Sequence, residues 1–296
     1  MTQNIEADFR RVHDTNVSTC FLPNSAIEII GGFLPKDAPA HVLFDFDGTL
    51  SLIREGWPEI MVPMMVEYLI DTGTDESPEV LSGVCSRFVM ELTGKQTIYQ
   101  MMRLAEEVTQ RGGTALEPIT YKNEYHARLM RRIESRRERL RCGDATPGEM
   151  LVPGSDSLLE RLQQRGVTMY LASGTDEQYV REEVELLQLD KYFGRHVYGA
   201  QDDYQAFSKA QVIERILADN RVSGGALLGF GDGYVEIQNV RDAGGTAVAV
   251  ASDEANRSGQ PDPWKRERLI AAGAHAVVPD YGDAERLIGW LWKEQE

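Results

Sequence analysis

The stretch HVLFDFDGT, residues 41–49, starts apolar and ends in two carboxylates, Asp45 and Asp47, followed by Gly48 and Thr49. A short apolar run of this kind, halted by a glycine, suits a strand buried on both faces of a parallel sheet. Side chains alternate along extended backbone, so Asp45 and Asp47 point one way and Phe46 the other. Two carboxylates side by side repel unless a proton or a cation intervenes. A solvated turn at a strand end is the plainer account of such acids, but it does not explain their place inside an apolar run.

Downstream of Pro153 the sequence alternates between strand and helix patterns. Strands are expected at 168–173 (TMYLAS), 196–200 (HVYGA), 226–232 (ALLGFGD), 246–251 (TAVAVA) and 274–279 (AHAVVP). Helices fit between and after them, at 155–165, 176–188, 208–219, 233–243, 262–272 and 283–293. That alternation implies a parallel sheet covered by helices on both faces. Between the first strand and the rest, residues 58–147 differ. Long amphipathic segments such as EIMVPMMVEYLIDTG and TYKNEYHARLMRRIESRRERL are punctuated there by Gly73, Gly94, Gly112-Gly113 and Gly143. The expected fold is therefore α/β: a doubly wound parallel-sheet, Rossmann-like core (38–57 and 148–296) with an inserted α-helical cap (58–147). Residues 1–37 form an N-terminal extension whose structure the sequence leaves open, although AIEIIGGFL (26–34) is apolar.

Composition narrows the function classes. In 296 residues, 42% are hydrophobic and 26% charged, as in ordinary globular proteins. The formal net charge of -16 disfavours nucleic acid and anionic membrane as partners. Cys20, Cys85 and Cys142 are scattered and odd in number, and the five histidines lack metal-ligand spacing. The N-terminus is polar, and the most apolar window, 57–70, is interrupted by Pro58, Glu59, Pro63 and Glu67. The expected setting is a reduced cytoplasm, with no membrane partner. Nothing in the sequence signals an oligomeric state.

In open α/β sheets, ligands bind beyond the carboxyl ends of the strands. There the sequence offers Ser173-Gly174-Thr175, then Gly231-Asp232-Gly233 with Glu236 one turn later, and Lys209 at the start of the helix after the 196–200 strand. A hard divalent cation would reconcile Asp45 with Asp47, and Asp232 offers a third oxygen donor. Magnesium, which binds through a few carboxylates plus substrate phosphate, suits this set. Each residue also has a plainer account: Asp232 and Glu236 as a helix cap with its first-turn acid, Ser173 as a cap, Lys209 as a surface lysine. A dinucleotide fingerprint is excluded because Tyr234 stands where the third glycine of G-x-G-x-x-G belongs. The basic segment 122–141 is either a solvated helix face or a surface that draws in anions.

The runs DFDGT, LASGT, Lys209 and GDGYVE, in this order at strand ends, resemble the four motifs of the haloacid dehalogenase-like superfamily. The helical insert is similar to the cap of its phosphoglycolate phosphatase and β-phosphoglucomutase group. The resemblance implies a magnesium-dependent phosphatase for a small phosphorylated metabolite. Asp45 would accept the phosphoryl group as an aspartyl-phosphate, and Asp47 would serve as acid and then base. Ser173, Lys209 and backbone amides near Gly48 and Gly174 would bind phosphate. Mg2+ would be held by Asp45, the Asp47 carbonyl, Asp232 and Glu236. A loop between cap helices reads the substrate in the resembled group, which makes Lys95 and Gln96 candidates, with Arg54 a second. The alternatives are a phosphomutase of β-phosphoglucomutase type and a catalytically silent binder of a phosphorylated ligand.

Overall fold

The computed structural model describes residues 10–14, 16–201 and 207–294. The chain divides into a core unit, Arg10–Glu55 with Arg136–Glu296, and a helical unit, Gly56–Ser135.

The core unit is built on one eight-stranded sheet. Its strands are β1 (Thr19–Phe21), β2 (Glu28–Ile30), β3 (His41–Phe44), β4 (Thr168–Asp176), β5 (Val197–Ala200), β6 (Leu227–Gly231), β7 (Thr246–Val250) and β8 (Ala276–Val278). The spatial order is β1-β2-β8-β7-β6-β3-β4-β5. From β8 to β5 all pairs are parallel, with Val42 opposite Met169 on one side and Leu228 on the other. β3, β6 and β7 are buried along their whole length, which explains their unbroken apolar sequences. Phe44 stacks on Phe230 and meets Phe193 edge-on, which ties β3 to β6 and to the short helix Asp190–Phe193. Each such ring fully removed from water contributes roughly 1.5–3 kcal/mol.

Helices supply the two covering layers. Lys209–Asn220, Tyr234–Asp242 and Pro263–Ala272 pack side by side and onto β4, β6, β7 and β8. Ser155–Gln164 packs with Ala284–Trp292 and Asp190–Phe193 as a second group. The observed elements match the expected strands and helices to within one to three residues at their ends. The doubly wound α/β class holds.

The first 37 residues contribute what the sequence left open. β2 pairs antiparallel with β8, and β1 pairs with β2. Both strands have three residues, too short for a periodic signal. β2 is wholly buried, which accounts for the apolar Ile29 and Ile30, while Leu34 further along that stretch is exposed.

The helical unit contains Pro58–Ile70, Pro78–Glu91, Thr97–Gln110 and the first part of Pro118–Cys142. Proline at the first helical position presets φ in the first two of these helices. Ser77 caps the second by accepting from the Val80 amide. The first three helices pack on one another around Met64, Met65, Leu81, Val89, Met101 and Leu104, all fully buried. Among the described residues, no helix is long and apolar enough to cross a membrane.

Candidate active site

Because β3 lies between β4 and β6 and the connections leave it in opposite directions, the crevice beyond its carboxyl end is the topological switch point of the sheet. Asp45 is the first residue past β3, and its amide still donates to the Phe230 carbonyl at 2.9 Å, so β6 fixes its backbone. The chain then turns tightly. The amides of Leu50 and Ser51 both donate to the Phe46 carbonyl, at 2.8 and 2.9 Å, and the Gly48 amide donates to Ser51 at 2.9 Å. Gly48 is obligatory here for two reasons. Its φ is +73°, and a Cβ would lie 2.3 Å from Asp232 Oδ2.

The two aspartates have different partners. Lys209 Nζ donates to Asp45 Oδ1 at 2.8 Å, and it also contacts Glu236. Asp47 Oδ2 accepts from Thr175 Oγ1 at 2.9 Å and from Ser173 Oγ at 3.4 Å. Asp47 Oδ1 is buried with no hydrogen-bond partner among the described residues and faces Arg54 Nε at 3.6 Å. Burial raises the Asp45 carboxyl to about 6; Lys209 opposes that rise and Asp232 adds to it. Burial raises the Asp47 carboxyl to about 7, with Arg54 pulling down and Glu183 and Asp45 pushing up. Paired carboxylates with separate partners are thus poised for separate roles.

Strand β4 brings Ser173, Gly174 and Thr175 to the same rim, and its register with β5 shifts between Ala172 and Asp176. Such irregularities re-aim side chains at a strand end. Glu236 reaches the rim because Gly231 has no side chain; a Cβ there would lie 2.6 Å from Glu236 Cβ. Glu236 is buried, and its Oε2 has no hydrogen-bond partner among the described residues.

The structure therefore brings Asp45, Asp47, Gly48, Arg54, Ser173, Gly174, Lys209, Asp232 and Glu236 together in the core unit. Lys95 and Gln96 lie in the helical unit, on the turn before the helix Thr97–Gln110. There Gly94 has a φ of +95°, and the Lys95 ammonium sits 5.7 Å from the Tyr99 ring centre. Two details differ from the simplest expectation. The Gly48 amide is engaged by Ser51, so it closes the turn. Arg54 clasps Glu183 through Nε and Nη2, with bonds of 3.1 and 2.8 Å, and the same Nε stands 3.6 Å from Asp47 Oδ1.

Several residues at the rim were not anticipated. Lys265 Nζ donates to Asp232 Oδ2 at 2.9 Å, to Glu254 Oε1 at 2.6 Å and to Ser252 Oγ at 3.2 Å. Ser252 in turn donates to the Gly48 carbonyl at 2.6 Å, and Tyr281 donates to the Thr49 carbonyl at 3.0 Å. Burial works against the Lys265 charge, but Asp232 and Glu254 outweigh it and hold its pKa above the ordinary lysine value. Ser252 and Glu254 follow β7, so the same strand-end rule that picked out Asp232 points to them. Lys265 has no local signal.

Among the described residues, no three His, Cys, Asp or Glu side chains stand together as a ready metal site. The reason is visible: Lys209 and Lys265 draw Asp45, Glu236, Asp232 and Glu254 to themselves. The donor set still fits a hard cation. Its donors are oxygens, and among the described residues its four carboxylates outnumber its two ammonium groups and one buried Glu236 oxygen is unpartnered.

The family model for haloacid dehalogenase-like hydrolases matches residues 39–244, which spans the whole motif series. This chain belongs to that family. Solved structures of the haloacid dehalogenase-like fold agree. One is a conserved haloacid dehalogenase-like protein of unknown function from Agrobacterium tumefaciens, 17% identical, covering 85% of this chain and 98% of that one at a TM-score of 0.54. A predicted phosphoglycolate phosphatase from Haemophilus somnus is 15% identical, with 84% and 97% covered and a TM-score of 0.54. A β-phosphoglucomutase from Clostridium difficile is 14% identical, with 86% and 98% covered and a TM-score of 0.55. At these identities the likeness concerns the fold alone. A search of curated proteins gave no match.

Proposed function

We propose that this haloacid dehalogenase-like hydrolase is a magnesium-dependent phosphatase that hydrolyses a small phosphorylated metabolite through an aspartyl-phosphate on Asp45. The observation that carries this reading is the difference between the two aspartates. Asp45, held by Lys209, is the nucleophile, while Asp47, raised to about 7, can carry a proton near neutral pH.

In the first step an Asp45 carboxylate oxygen bonds to phosphorus, and the bond from phosphorus to the leaving oxygen breaks. Asp47 gives its proton to that oxygen. In the second step Asp47 takes a proton from water, the hydroxyl oxygen attacks phosphorus, and the bond to Asp45 breaks, releasing inorganic phosphate. Thr175 and Ser173 hold the Asp47 carboxyl in place. Ser173, Lys209 and the backbone around Gly174 would face the phosphoryl oxygens that do not react. Asp45, the Asp47 carbonyl, Asp232 and Glu236 would hold Mg2+, which when bound supplies charge neutralisation at the phosphoryl group. Arg54, clamped by Glu183, orients Asp47, and Lys95 and Gln96 are candidates for reading the organic part of the substrate.

The test is phosphate release across a panel of phosphorylated metabolites and a generic aryl phosphate. Activity should require added Mg2+, vanish in EDTA, and be inhibited by Ca2+, whose looser coordination misplaces Asp45. Undiminished activity in EDTA would overturn the metal assignment. An isomerised sugar phosphate without free phosphate would make the protein a mutase, and neither product would leave a binder.

A further inference from the structure

Lys265, Glu254 and Ser252 all lie beyond the matched segment 39–244, yet they close one side of the rim. The Lys265 backbone is fixed in the first turn of its helix, where its amide donates to the capping carboxylate of Asp262 at 2.8 Å. From there its side chain reaches inward and is only 12% exposed. It donates to Asp232 at 2.9 Å, Glu254 at 2.6 Å and Ser252 at 3.2 Å. Ser252 passes the contact on to the Gly48 carbonyl at 2.6 Å. Both carboxylates press on the Gly48 α-carbon, where a Cβ would lie 2.3 Å from Asp232 Oδ2 and 2.9 Å from Glu254 Oε1. One ammonium thus joins the loops after β3, β6 and β7.

Two carboxylates share this one ammonium in a nearly dry corner. Without it they would face each other uncompensated, an arrangement that a buried site does not tolerate. A cation that enters next to Asp232 must therefore either share that carboxylate with Lys265 or displace the ammonium. Both routes make Lys265 a competitor, and Glu254 decides how strongly it competes, because Glu254 draws part of the ammonium's attraction away from Asp232.

We propose that Lys265 is a positioning residue that acts as the resident cation of this corner: it gathers Asp232 and Glu254 against Gly48 and sets how tightly a divalent cation binds there. This rests on the assignment of Asp232 as a metal ligand. It makes the corner an internal balance in which Lys265 weakens, and Glu254 strengthens, the hold on the metal.

The balance predicts opposite responses from neighbours in direct contact, which mere structural damage would not give. Isothermal titration of the full-length protein with MgCl2, checked by Mn2+ binding seen in electron paramagnetic resonance, reads the affinity without turnover. Lys265→Met should tighten Mg2+ binding about tenfold and Glu254→Gln should weaken it about tenfold, as expected for one unit charge removed beside the ion. Thermal unfolding gives a second readout. Lys265→Met should melt lower in EDTA and gain more from added Mg2+ than the unaltered chain, because stabilisation follows the affinity. Unchanged affinity in both variants, or shifts in the same direction, would overturn the proposal. If Lys265→Met does not fold, Glu254→Gln decides alone: weakened binding supports the balance, and unaltered binding overturns it. If the unaltered protein binds no Mg2+ at all, the metal assignment falls and takes this proposal with it. Binding that is present but indifferent to both variants removes this proposal only.

Discussion

Charged pairs one turn apart on helices of the helical unit differ in plan from those at the rim of the core unit. In the helical unit, Arg128 pairs with Glu124 and Arg103 with Glu107, each four residues away along one helix, and the first pair is 28% and 39% exposed. At the rim, Lys209 reaches Asp45 across 164 residues of sequence, and the two side chains are 4% and 7% exposed. Arg54 finds Glu183 across 129 residues. Pairs of the first kind follow from helix geometry alone and contribute about 0.3–0.5 kcal/mol each. Pairs of the second kind need the whole fold, and desolvation can cost more than the attraction returns. A fold that assembles several of them at one strand end is spending stability on chemistry. In the basic segment 122–141, Arg128, Arg132, Arg136, Arg137, Arg139 and Arg141 each pair with a glutamate, and all but Arg141 reach one outside their own helix.

The contrast breaks most decisively at Asp45. Asp45→Asn keeps the shape of the rim and removes the nucleophile, so turnover of every phosphate ester should fall by more than about 10^4-fold. The protein should remain folded by circular dichroism. Residual activity within tenfold of the unaltered enzyme would move the nucleophile elsewhere.

A smaller and more selective loss is expected at Asp47. Asp47→Asn should slow hydrolysis of alkyl phosphates by roughly 10^2–10^4-fold, and of nitrophenyl phosphate much less, because only the poor leaving group needs the proton. The sign of the pH dependence follows from the raised carboxyl. A donor must hold its proton, so kcat/KM on an alkyl phosphate should decline as pH rises through about 7. That decline should disappear in the variant. Equal losses on both esters would deny Asp47 the donor role.

The smallest effect belongs to the helical unit. Lys95→Ala removes an ammonium held near the Tyr99 ring, not one locked in a buried pair at the rim. KM for the physiological substrate should rise by about tenfold while kinetics on a generic aryl phosphate barely move, the pattern of a group that binds without joining the chemical step. Parallel changes on both substrates would make Lys95 part of the common machinery, and no change on either would make it an ordinary surface residue.

These differences also explain what the sequence disclosed. Asp45, Asp47, Ser173 and Asp232 were legible because each ends a strand with an unmistakable apolar run, and the sheet turns that linear signal into one rim. Thr175 stands inside the run LASGT, but nothing local to the sequence shows that its hydroxyl faces Asp47. Lys265 was invisible because it sits in the first turn of a helix, 33 residues from its partner Asp232. The two-pronged grip of Arg54 on Glu183 was equally out of reach, so the guanidinium read as open to substrate. β1 and β2 were missed for another reason: three residues give neither periodicity nor turn chemistry enough to assign a strand.

The order of the strands bears on how the protein behaves among its own copies. The segment 39–244 carries every motif residue, but it omits β1, β2, β7 and β8, half of the sheet. A chain trimmed to that segment would leave β6, with the apolar run LLGFG, as a bare hydrogen-bonding edge, an open invitation to stick to another chain. In the full chain that edge is walled off by four further strands. The last contact is reinforced where Glu28 of β2 is clasped by Arg266 through bonds of 2.6 and 2.5 Å. The extension at the N-terminus covers the far end of that wall, where β2 pairs along the edge that β8 would otherwise leave open.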